Sequence, residues 1–298
     1  MTRFLLLLSA AALVACGAPA DDAMVDAADT VMTDNASAFA FDRAALSAAT
    51  AAQSDEAKAR YAFRNPAETL EFFGIAPGMS VGEALPGGGW YSKILLPYLG
   101  DEGRLVGVNY SDGLWSNFSW MTPENLATRT AFPQTWPEQA RAWTSADAQI
   151  DAYTFETLPQ DESLDAFLFI RALHNLNRFE DEGGFMTEAL SQVHGALKPG
   201  GVVGVVQHEG PADADADWAD GSNGYLRRAD VIAQFEAAGF VLEDSSDVNA
   251  NPADMPTAED SVWRLKPSRR AAQDDADARA ALDAIGESNR MTLRFRKA

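Results

Sequence analysis

Residues 80–90, SVGEALPGGGW, place a short apolar segment directly before a proline and three glycines. The pattern predicts a strand over 80–85, a tight turn over 86–89 and a helix over 90–99. Glycines in such a turn allow a ligand to approach the backbone closely, and the helix that follows presents free N–H groups. The sequence contains neither GxxxxGK[ST] nor GxGxxG, which excludes the phosphate-binding loop of nucleoside triphosphatases and the dinucleotide-binding fingerprint.

Strand and helix patterns alternate along the chain on both sides of this turn. Residues 164–170, LDAFLFI, are almost continuously apolar, which is typical of a central parallel strand that is covered on both faces. Residues 291–296 alternate apolar and basic side chains and predict an antiparallel edge strand. The pattern predicts one α/β domain over residues 46–298, with a doubly wound, Rossmann-like, mostly parallel sheet, helices on both faces and an antiparallel strand near the C-terminus. Further strands are predicted over 104–109, 150–155, 202–207 and 240–243, and helices over 42–60, 66–73 (capped by Asn65), 180–197 and 228–238.

The N-terminus has the pattern of an export signal. Residues 4–14 are apolar, follow Arg3, and are too few to span a bilayer as a helix. The only cysteine of the chain, Cys16, ends the run LVAC, which resembles the bacterial lipoprotein signal, in which the cysteine is lipidated and becomes the new N-terminus. An ordinary signal peptide with an incidental cysteine, or a buried first helix, is the alternative. The resemblance implies a signal peptide over residues 1–15 and an exported protein of the periplasm or cell envelope, held at the membrane by its lipid alone.

Acidic residues outnumber basic ones, and the formal net charge is −21. This charge argues against nucleic acid as a partner, because phosphate binding requires a basic surface. Residues 17–40 hold five Asp and neither Lys nor Arg, so we predict a flexible acidic linker over residues 16–45. Four further Asp lie in one predicted loop, at 213, 215, 217 and 220, which we interpret as a solvated acidic loop rather than a calcium site.

Several short motifs occur in the order found in class I S-adenosylmethionine-dependent methyltransferases, and the chain resembles that family. Glu83 followed by Gly87 and Gly89 is similar to its first motif, an acidic residue and alternate glycines. The resemblance covers most of residues 60–298. It implies S-adenosylmethionine as cofactor and methyl transfer to an unidentified small-molecule acceptor. Three later motifs of the family are also matched, by LP at 158–159 with SLD at 163–165, by LKPGG at 197–201 and by AAGF at 237–240. The chain is also similar to a bacterial group of predicted methyltransferases, in PGMSV at 77–81, PGGGWY at 86–91 and IRALHNL at 170–176.

The resemblance also implies where the cofactor would be held. Two positions depart from the family. Leu85, followed by Pro86, stands where the first glycine of the motif lies, and Asn109 stands where an acidic residue commonly binds both ribose hydroxyls. Asn109 can hydrogen-bond a hydroxyl without the charge of a carboxylate, and Asp112 is an alternative if the turn brings it back. The implied cofactor contacts are Glu83, Gly87, Gly88, Gly89, Asn109, Thr154 and Phe155.

Arg171 and His174 follow the fourth predicted strand, where the resemblance places the methyl group and the acceptor. Methyl transfer is mainly a matter of positioning, and it needs a base only if the acceptor must lose a proton. His174 is either that base or a structural histidine. Arg171 either binds an anionic group of the substrate or pairs with a surface carboxylate. His208 and Glu209 follow the fifth strand, but their spacing matches no metal-binding motif, so we predict no metal site.

Each remaining group of aromatic residues has two interpretations, and the remaining histidine has one. We expect Trp90 and Tyr91 either to border the cofactor or to pack in the core. The aromatic side chains of 113–145 are expected to form either a lid over an apolar acceptor or a hydrophobic cluster. We interpret His194 as structural. The second hypothesis for function is a methyltransferase-fold lipoprotein of the cell envelope that binds a ligand or partner without catalysis. Leu85, Asn109 and the export signal favour it, because this cofactor is made inside the cell.

Overall fold

The computed structural model describes residues 39–272 and 274–298. Cys16, the predicted signal peptide and most of the predicted acidic linker lie outside these residues. At the start of the described part, Phe39, Phe41 and Ala45 already pack against the core. Within the same residues, no helix is long and apolar enough to cross a membrane.

One seven-stranded sheet forms the centre of the domain, in the order β3-β2-β1-β4-β5-β7-β6. β1 to β5 run parallel to one another, and β7 runs antiparallel to both β5 and β6. This arrangement confirms the predicted doubly wound, mostly parallel sheet with an antiparallel strand near the C-terminus. The strands are β1 Ser80–Ala84, β2 Arg104–Asn109, β3 Gln149–Thr154, β4 Leu164–Ile170, β5 Leu197–His208, β6 Phe240–Ser246 and β7 Arg290–Lys297.

Helices connect the strands and cover the sheet. α5 follows β1, three helices lie between β2 and β3, three between β4 and β5, and α12 between β5 and β6. The α-helices of the described residues are α1 Arg43–Ala51, α2 Asp55–Lys58, α3 Tyr61–Arg64, α4 Pro66–Phe73, α5 Ser92–Leu99, α6 Asp112–Ser116, α7 Pro123–Thr130, α8 Phe132–Arg141, α9 Leu173–Arg178, α10 Glu180–Gly183, α11 Phe185–Ala196, α12 Arg228–Ala237 and α13 Ala276–Ile285.

Both faces of the sheet are buried, as the apolar run of β4 predicts. Successive side chains of a strand point to opposite faces. Phe167 and Phe169 accordingly belong to one hydrophobic cluster, together with α11 and α12 residues. Ala166 and Leu168 belong to a second cluster on the other face, together with α4 and α5 residues. The central strand is therefore covered on both sides by helices.

The prediction of an edge strand at the C-terminus is wrong in one respect: β7 lies inside the sheet, between β5 and β6. Its apolar side chains, Met291, Leu293 and Phe295, are fully buried. Two of its basic side chains on the opposite face, Arg294 and Arg296, both pair with Glu243 of β6. Charge pairing across the strands thus allows a basic strand to take an interior position.

Two predicted helices are interrupted. The helix predicted over 180–197 breaks at Gly184, where φ is +67°, and becomes α10 and α11. The helix predicted over 42–60 divides into α1 and α2. Asn65 precedes α4 as predicted but does not cap it, because its φ is +37° and its side chain donates a hydrogen bond to the Val248 carbonyl instead, at 2.6 Å.

Candidate functional site

Two backbone turns lie at the carboxyl edge of the sheet, where the strand order reverses between β1 and β4. β1 pairs with β2 on one side and with β4 on the other. Doubly wound sheets hold their ligands at this point. The glycine-rich turn follows β1, and the segment from Arg171 to His174 follows β4. The structure therefore brings the predicted cofactor turn and the predicted catalytic pair to one edge of the sheet.

The glycine-rich turn has a left-handed backbone at alternate positions. The φ angle is +52° at Leu85, +54° at Gly87 and +77° at Gly89. This conformation costs about 1–2 kcal/mol for a residue with a Cβ. A hydrogen bond from the Leu85 N–H to the Val108 carbonyl, 2.7 Å long, holds it. Position 85 thus keeps the backbone that suits glycine although leucine occupies it.

Space beside the turn is open at two of its three glycines. A Cβ at Gly88 would meet nothing within 4 Å, and one at Gly87 would meet only the Leu85 carbonyl oxygen at 3.8 Å. At Gly89, by contrast, a Cβ would collide with the indole of Trp143. The backbone of Gly87 and Gly88 is accessible to a ligand, whereas Gly89 packs against the protein.

Glu83 lies near the end of β1, and its carboxylate is buried. The Ser92 hydroxyl, in the first turn of α5, donates a hydrogen bond to Oε2 at 2.6 Å. Burial raises the pKa of Glu83 to about 7, although the Ser92 hydrogen bond opposes the change. This side chain links strand to helix across the glycine-rich turn and is only partly ionised at neutral pH.

Asn109 ends β2 and is buried. Its Oδ1 accepts a hydrogen bond from the Tyr110 N–H at 2.9 Å, and its amide nitrogen makes no hydrogen bond within the described residues. Asp112 begins α6 and accepts a hydrogen bond from the Thr130 hydroxyl at 2.8 Å. The amide of Asn109 is therefore the uncommitted donor at the end of β2.

Thr154 and Phe155 follow β3 and take different positions. The Thr154 N–H donates a hydrogen bond to the Thr157 hydroxyl at 3.0 Å in a short capping turn. The Phe155 ring is buried and stacks against Phe169, with 6.0 Å between centroids, and against Tyr110. Thr154 lies at the edge of the sheet, while Phe155 contributes to the core; their cofactor contacts remain a prediction.

His174 lies in the first turn of α9 and is buried. Burial, with the nearby charges of Arg171 and Arg178, lowers the pKa of His174 to about 4, although Gln207 favours the protonated ring. Its Nδ1 and the Oε1 of Gln207 are both buried without a well-formed hydrogen bond. The ring is 5.7 Å from that of His208, centroid to centroid. His174 is therefore neutral at pH 7.

Three arginines share one buried carboxylate near this histidine pair. Glu287 pairs with Arg60, Arg64 and Arg290. Although burial alone raises the pKa of Glu287, the charges of Arg290, Arg64 and Arg60 hold it below its ordinary value. Arg171 is close enough that Arg64 and Arg290 lower its pKa, after the larger effect of burial. Of these arginines only Arg171 could be identified from the sequence, because no local motif joins the others.

The connection between β6 and β7 packs against the carboxyl edge of the sheet, where the two histidines lie. The Ser288 hydroxyl is 2.6 Å from Nδ1 of His208, and the Trp263 ring lies 6.3 Å from His174, centroid to centroid. Burial, followed by the nearby charges of His174 and Arg290, lowers the pKa of His208 well below its ordinary range. This connection therefore shields both histidines from water.

The aromatic-rich segment 113–145 contains most of α6 and all of α7 and α8. Trp115 and Phe118 belong to one core cluster and Trp136 to the other, while Trp120 stays exposed. Tyr91 is buried, and its hydroxyl donates to the Arg64 carbonyl at 3.4 Å. These positions match the interpretation of most of these rings as hydrophobic packing.

The remaining candidate residues lie apart from the turns or are engaged elsewhere. Glu209 forms a two-pronged ion pair with Arg228, at 2.8 and 2.9 Å. His194 packs against Phe240. A cavity of about 380 Å³ lies beside His194, between α11 and α12, and does not border the glycine-rich turn. The described residues contain no group of three or more His, Cys, Asp or Glu side chains arranged to hold a metal ion.

No protein-family model matches the sequence, and comparison with curated proteins finds no match. Among solved structures, the chain is similar to a SAM-dependent methyltransferase from Aquifex aeolicus, with 12% identity over 87% of this chain and 100% of that one and a TM-score of 0.47. It is similar to the 1,6-didemethyltoxoflavin-N1-methyltransferase of Burkholderia thailandensis, with 15% identity over 86% and 87% and a TM-score of 0.45. A methyltransferase from Mesorhizobium loti shows 14% identity over 77% and 95% and a TM-score of 0.42. The strand order described above, rather than these scores, defines the fold class of the chain.

Proposed function

We propose that this protein is an S-adenosylmethionine-dependent methyltransferase that acts on a small-molecule acceptor. The observation that carries the proposal is the turn after β1, whose left-handed backbone at positions 85, 87 and 89 lies at the reversal point of the strand order. The alternate left-handed positions fit the alternate-glycine motif that the sequence resembles. They do so even at Leu85, where the side chain makes that backbone unfavourable.

The residues around the turn fit the proposed cofactor in three respects. Gly87 and Gly88 leave open space beside the backbone. The Asn109 side chain has an amide donor without a partner within the described residues, at the strand end where a ribose hydroxyl would be bound. Glu83 holds α5 to β1 through Ser92 and fixes the shape of the turn. The bound cofactor would supply an electrophilic methyl group.

The chain's own residues would hold and orient the acceptor on the side of β4. Arg171 and His174 lie there, one on the turn and one on α9. If the Nδ1 proton of His174 faces Gln207 Oε1, Nε2 carries the lone pair and can accept a proton from the acceptor. A ring with a pKa of about 4 is a weak base, so we assign most of the catalysis to positioning.

A second function is favoured by one observation, the Trp143 ring that fills the space at Gly89. Because the Trp143 side chain covers part of the turn, the protein would bind a ligand or partner with the methyltransferase fold but without catalysis. Isothermal titration of the full-length protein with S-adenosylmethionine and S-adenosylhomocysteine discriminates between the two functions. Saturable heat with both ligands supports the methyltransferase, and absence of heat at about 1 mM ligand overturns it.

We propose further that Cys16 carries a lipid and holds the domain at a membrane of the cell envelope. The support is the position of the single cysteine directly after an apolar run of signal-peptide length. An acidic segment between Cys16 and Phe39 would then separate the domain from the membrane.

A further inference from the structure

In the part of the chain that the structure describes, the guanidinium of Arg171 pairs with no acidic side chain. Within the described residues its side chain forms neither an ion pair nor a hydrogen bond, and it stacks on no aromatic ring. Other arginines of this acidic protein do find carboxylates, for instance Arg104 with Asp151 at 2.8 Å and Arg264 with Asp254 at 2.7 Å. The alternative, an ion pair of Arg171 with a surface carboxylate, therefore does not occur among the described residues.

The carboxylate whose charge acts on Arg171, that of Glu287, is already shared by other arginines. Glu287 accepts a hydrogen bond from Nε of Arg60 at 2.7 Å and from Nε of Arg64 at 3.1 Å, and it also pairs with Arg290. Three guanidinium groups thus share one carboxylate, and its charge also acts on Arg171. Arginine stays protonated in proteins, so this buried edge holds an excess of positive charge, although the whole chain has a net charge of −21.

The excess positive charge of these arginines lies near the residues that we propose hold the acceptor. Arg171 is partly exposed, whereas Arg64 and Arg290, whose charges act on it, are buried. The Tyr91 hydroxyl lies within the field of all three, and Tyr91 follows the glycine-rich turn by two residues. His174 is three residues beyond Arg171. A negatively charged group next to Arg171 would therefore be held close to the turn and to His174.

We propose that Arg171, supported by Arg64 and Arg290, binds an oxyanion, a carboxylate or a phosphate, carried by the acceptor. Two N–H groups of a guanidinium match two oxygens of either anion. The assignment of this oxyanion to an acceptor rests on the proposed methyltransferase function. The binding of the oxyanion itself does not, because it requires no methyl donor.

Histidine signals in NMR spectra of the full-length protein test the proposal. The chain has three histidines. His174 faces Arg171, Arg178, Gln207, His208 and Trp263, and Arg171 also acts on His208. His194 is influenced instead by Lys297 and Glu162. Titration with sodium phosphate, and separately with sodium acetate, at an ionic strength kept constant with sodium chloride, should shift the His174 and His208 signals in a saturable way and leave the His194 signal in place.

Two variants sharpen the measurement. Arg171→Gln should weaken the binding of the effective anion about tenfold or more, as expected for loss of a charged hydrogen-bond donor. Arg43→Gln, which removes an exposed arginine of α1, should bind it like the unchanged protein. Saturation by phosphate alone or by acetate alone identifies which oxyanion the acceptor carries.

The proposal is overturned if neither anion shifts His174 and His208 in a saturable way, if all three histidines shift together, or if Arg171→Gln binds as tightly as the unchanged protein. Should Arg171→Gln fail to fold, the titration of the unchanged protein decides by itself. Failure of S-adenosylmethionine to bind would contradict the methyltransferase and leave the result with phosphate and acetate intact, so the two failures are distinguishable.

Discussion

Leu85 and Arg171 occupy equivalent positions at the ends of two neighbouring strands, and both have a left-handed backbone. The φ angles are +52° and +59°. Each N–H donates a 2.7 Å hydrogen bond to the next strand, Leu85 to Val108 and Arg171 to Val206. Unfavourable backbone geometry that is held by hydrogen bonds concentrates at functional sites. Here it marks both sides of the point where the strand order reverses.

The strain at Leu85 predicts an inverted order of substitutions. In ordinary backbone, glycine is less stable than alanine by about 0.5–1 kcal/mol. With a φ of +52°, Leu85→Gly should instead be more stable than Leu85→Ala by about 1 kcal/mol, because only glycine escapes the left-handed penalty. Comparing these two variants cancels the loss of leucine packing. Urea denaturation measures both free energies of unfolding.

Leu105 provides the control, since it lies in β2 without a left-handed backbone. There Leu105→Gly should be less stable than Leu105→Ala. If Leu85→Ala proves more stable than Leu85→Gly, the left-handed assignment at position 85 is wrong.

Glu287→Gln should strongly destabilise the protein. Its carboxylate is the shared partner of Arg60, Arg64 and Arg290, and removing one partner of a buried ion pair costs about 3–5 kcal/mol. The matched control is Glu71→Gln, because Glu71 pairs with Arg43, whose side chain is 73% exposed. An exposed pair contributes about 0–1 kcal/mol. Equal losses of unfolding free energy in urea for the two variants would contradict the buried cluster.

Glu83→Gln should change how stability depends on pH. The pKa of Glu83 is about 7 in the folded protein against an ordinary 4.5. A raised pKa means that the contribution of Glu83 to stability is complete below pH 4.5 and is lost as the pH rises through 7, a loss of about 3 kcal/mol. The variant lacks this loss, so its stability relative to the unchanged protein should increase from pH 4.5 to pH 8.

Chemical denaturation at several pH values measures this difference. A difference between the two proteins that is constant from pH 4.5 to pH 8 would show that Glu83 titrates normally. Glu68→Gln, on the first turn of α4, is a suitable control because its carboxylate is not buried.

Cys16→Ala should abolish attachment of lipid. Cells that express the unchanged protein in the presence of radioactive palmitate should incorporate label into it, and cells that express the variant should not. Label in the variant, or its absence from the unchanged protein, contradicts the proposed anchor at Cys16.

Much of the fold could be predicted because its signals are local. The apolar run at 164–170 and the glycine-rich turn after residue 85 are each contained in a few consecutive residues. The position of β7 depends on pairing between distant strands, and no local pattern distinguishes its interior position from an edge. Gly184, which divides a predicted helix, has a left-handed backbone that composition alone does not reveal.

The same distinction applies to the candidate site. Glu83, Asn109, Arg171 and His174 could be identified because each closely follows or ends a predicted strand. Arg64 and Glu287 are 223 positions apart in sequence, and their contact exists only because β7 returns beside the first helices. Their contact therefore could not be predicted from the sequence, although it shows that Glu287, whose charge acts on Arg171, is already paired with other arginines.

The proposed cofactor site depends most directly on the open space at Gly88. A Cβ there meets no other atom within 4 Å, and Gly88 is not among the residues with a left-handed backbone. Gly88→Leu should therefore fold normally and fill the space assigned to the cofactor. Ala51→Leu, at an exposed position of α1, adds bulk elsewhere as the control.

Isothermal titration with S-adenosylmethionine, applied to the unchanged full-length protein and to both variants, tests whether the cofactor binds beside Gly88. We predict saturable binding for the unchanged protein and for Ala51→Leu, and none for Gly88→Leu at the same melting temperature. Equal binding by Gly88→Leu and the unchanged protein, or no binding by any of the three, would contradict binding beside Gly88.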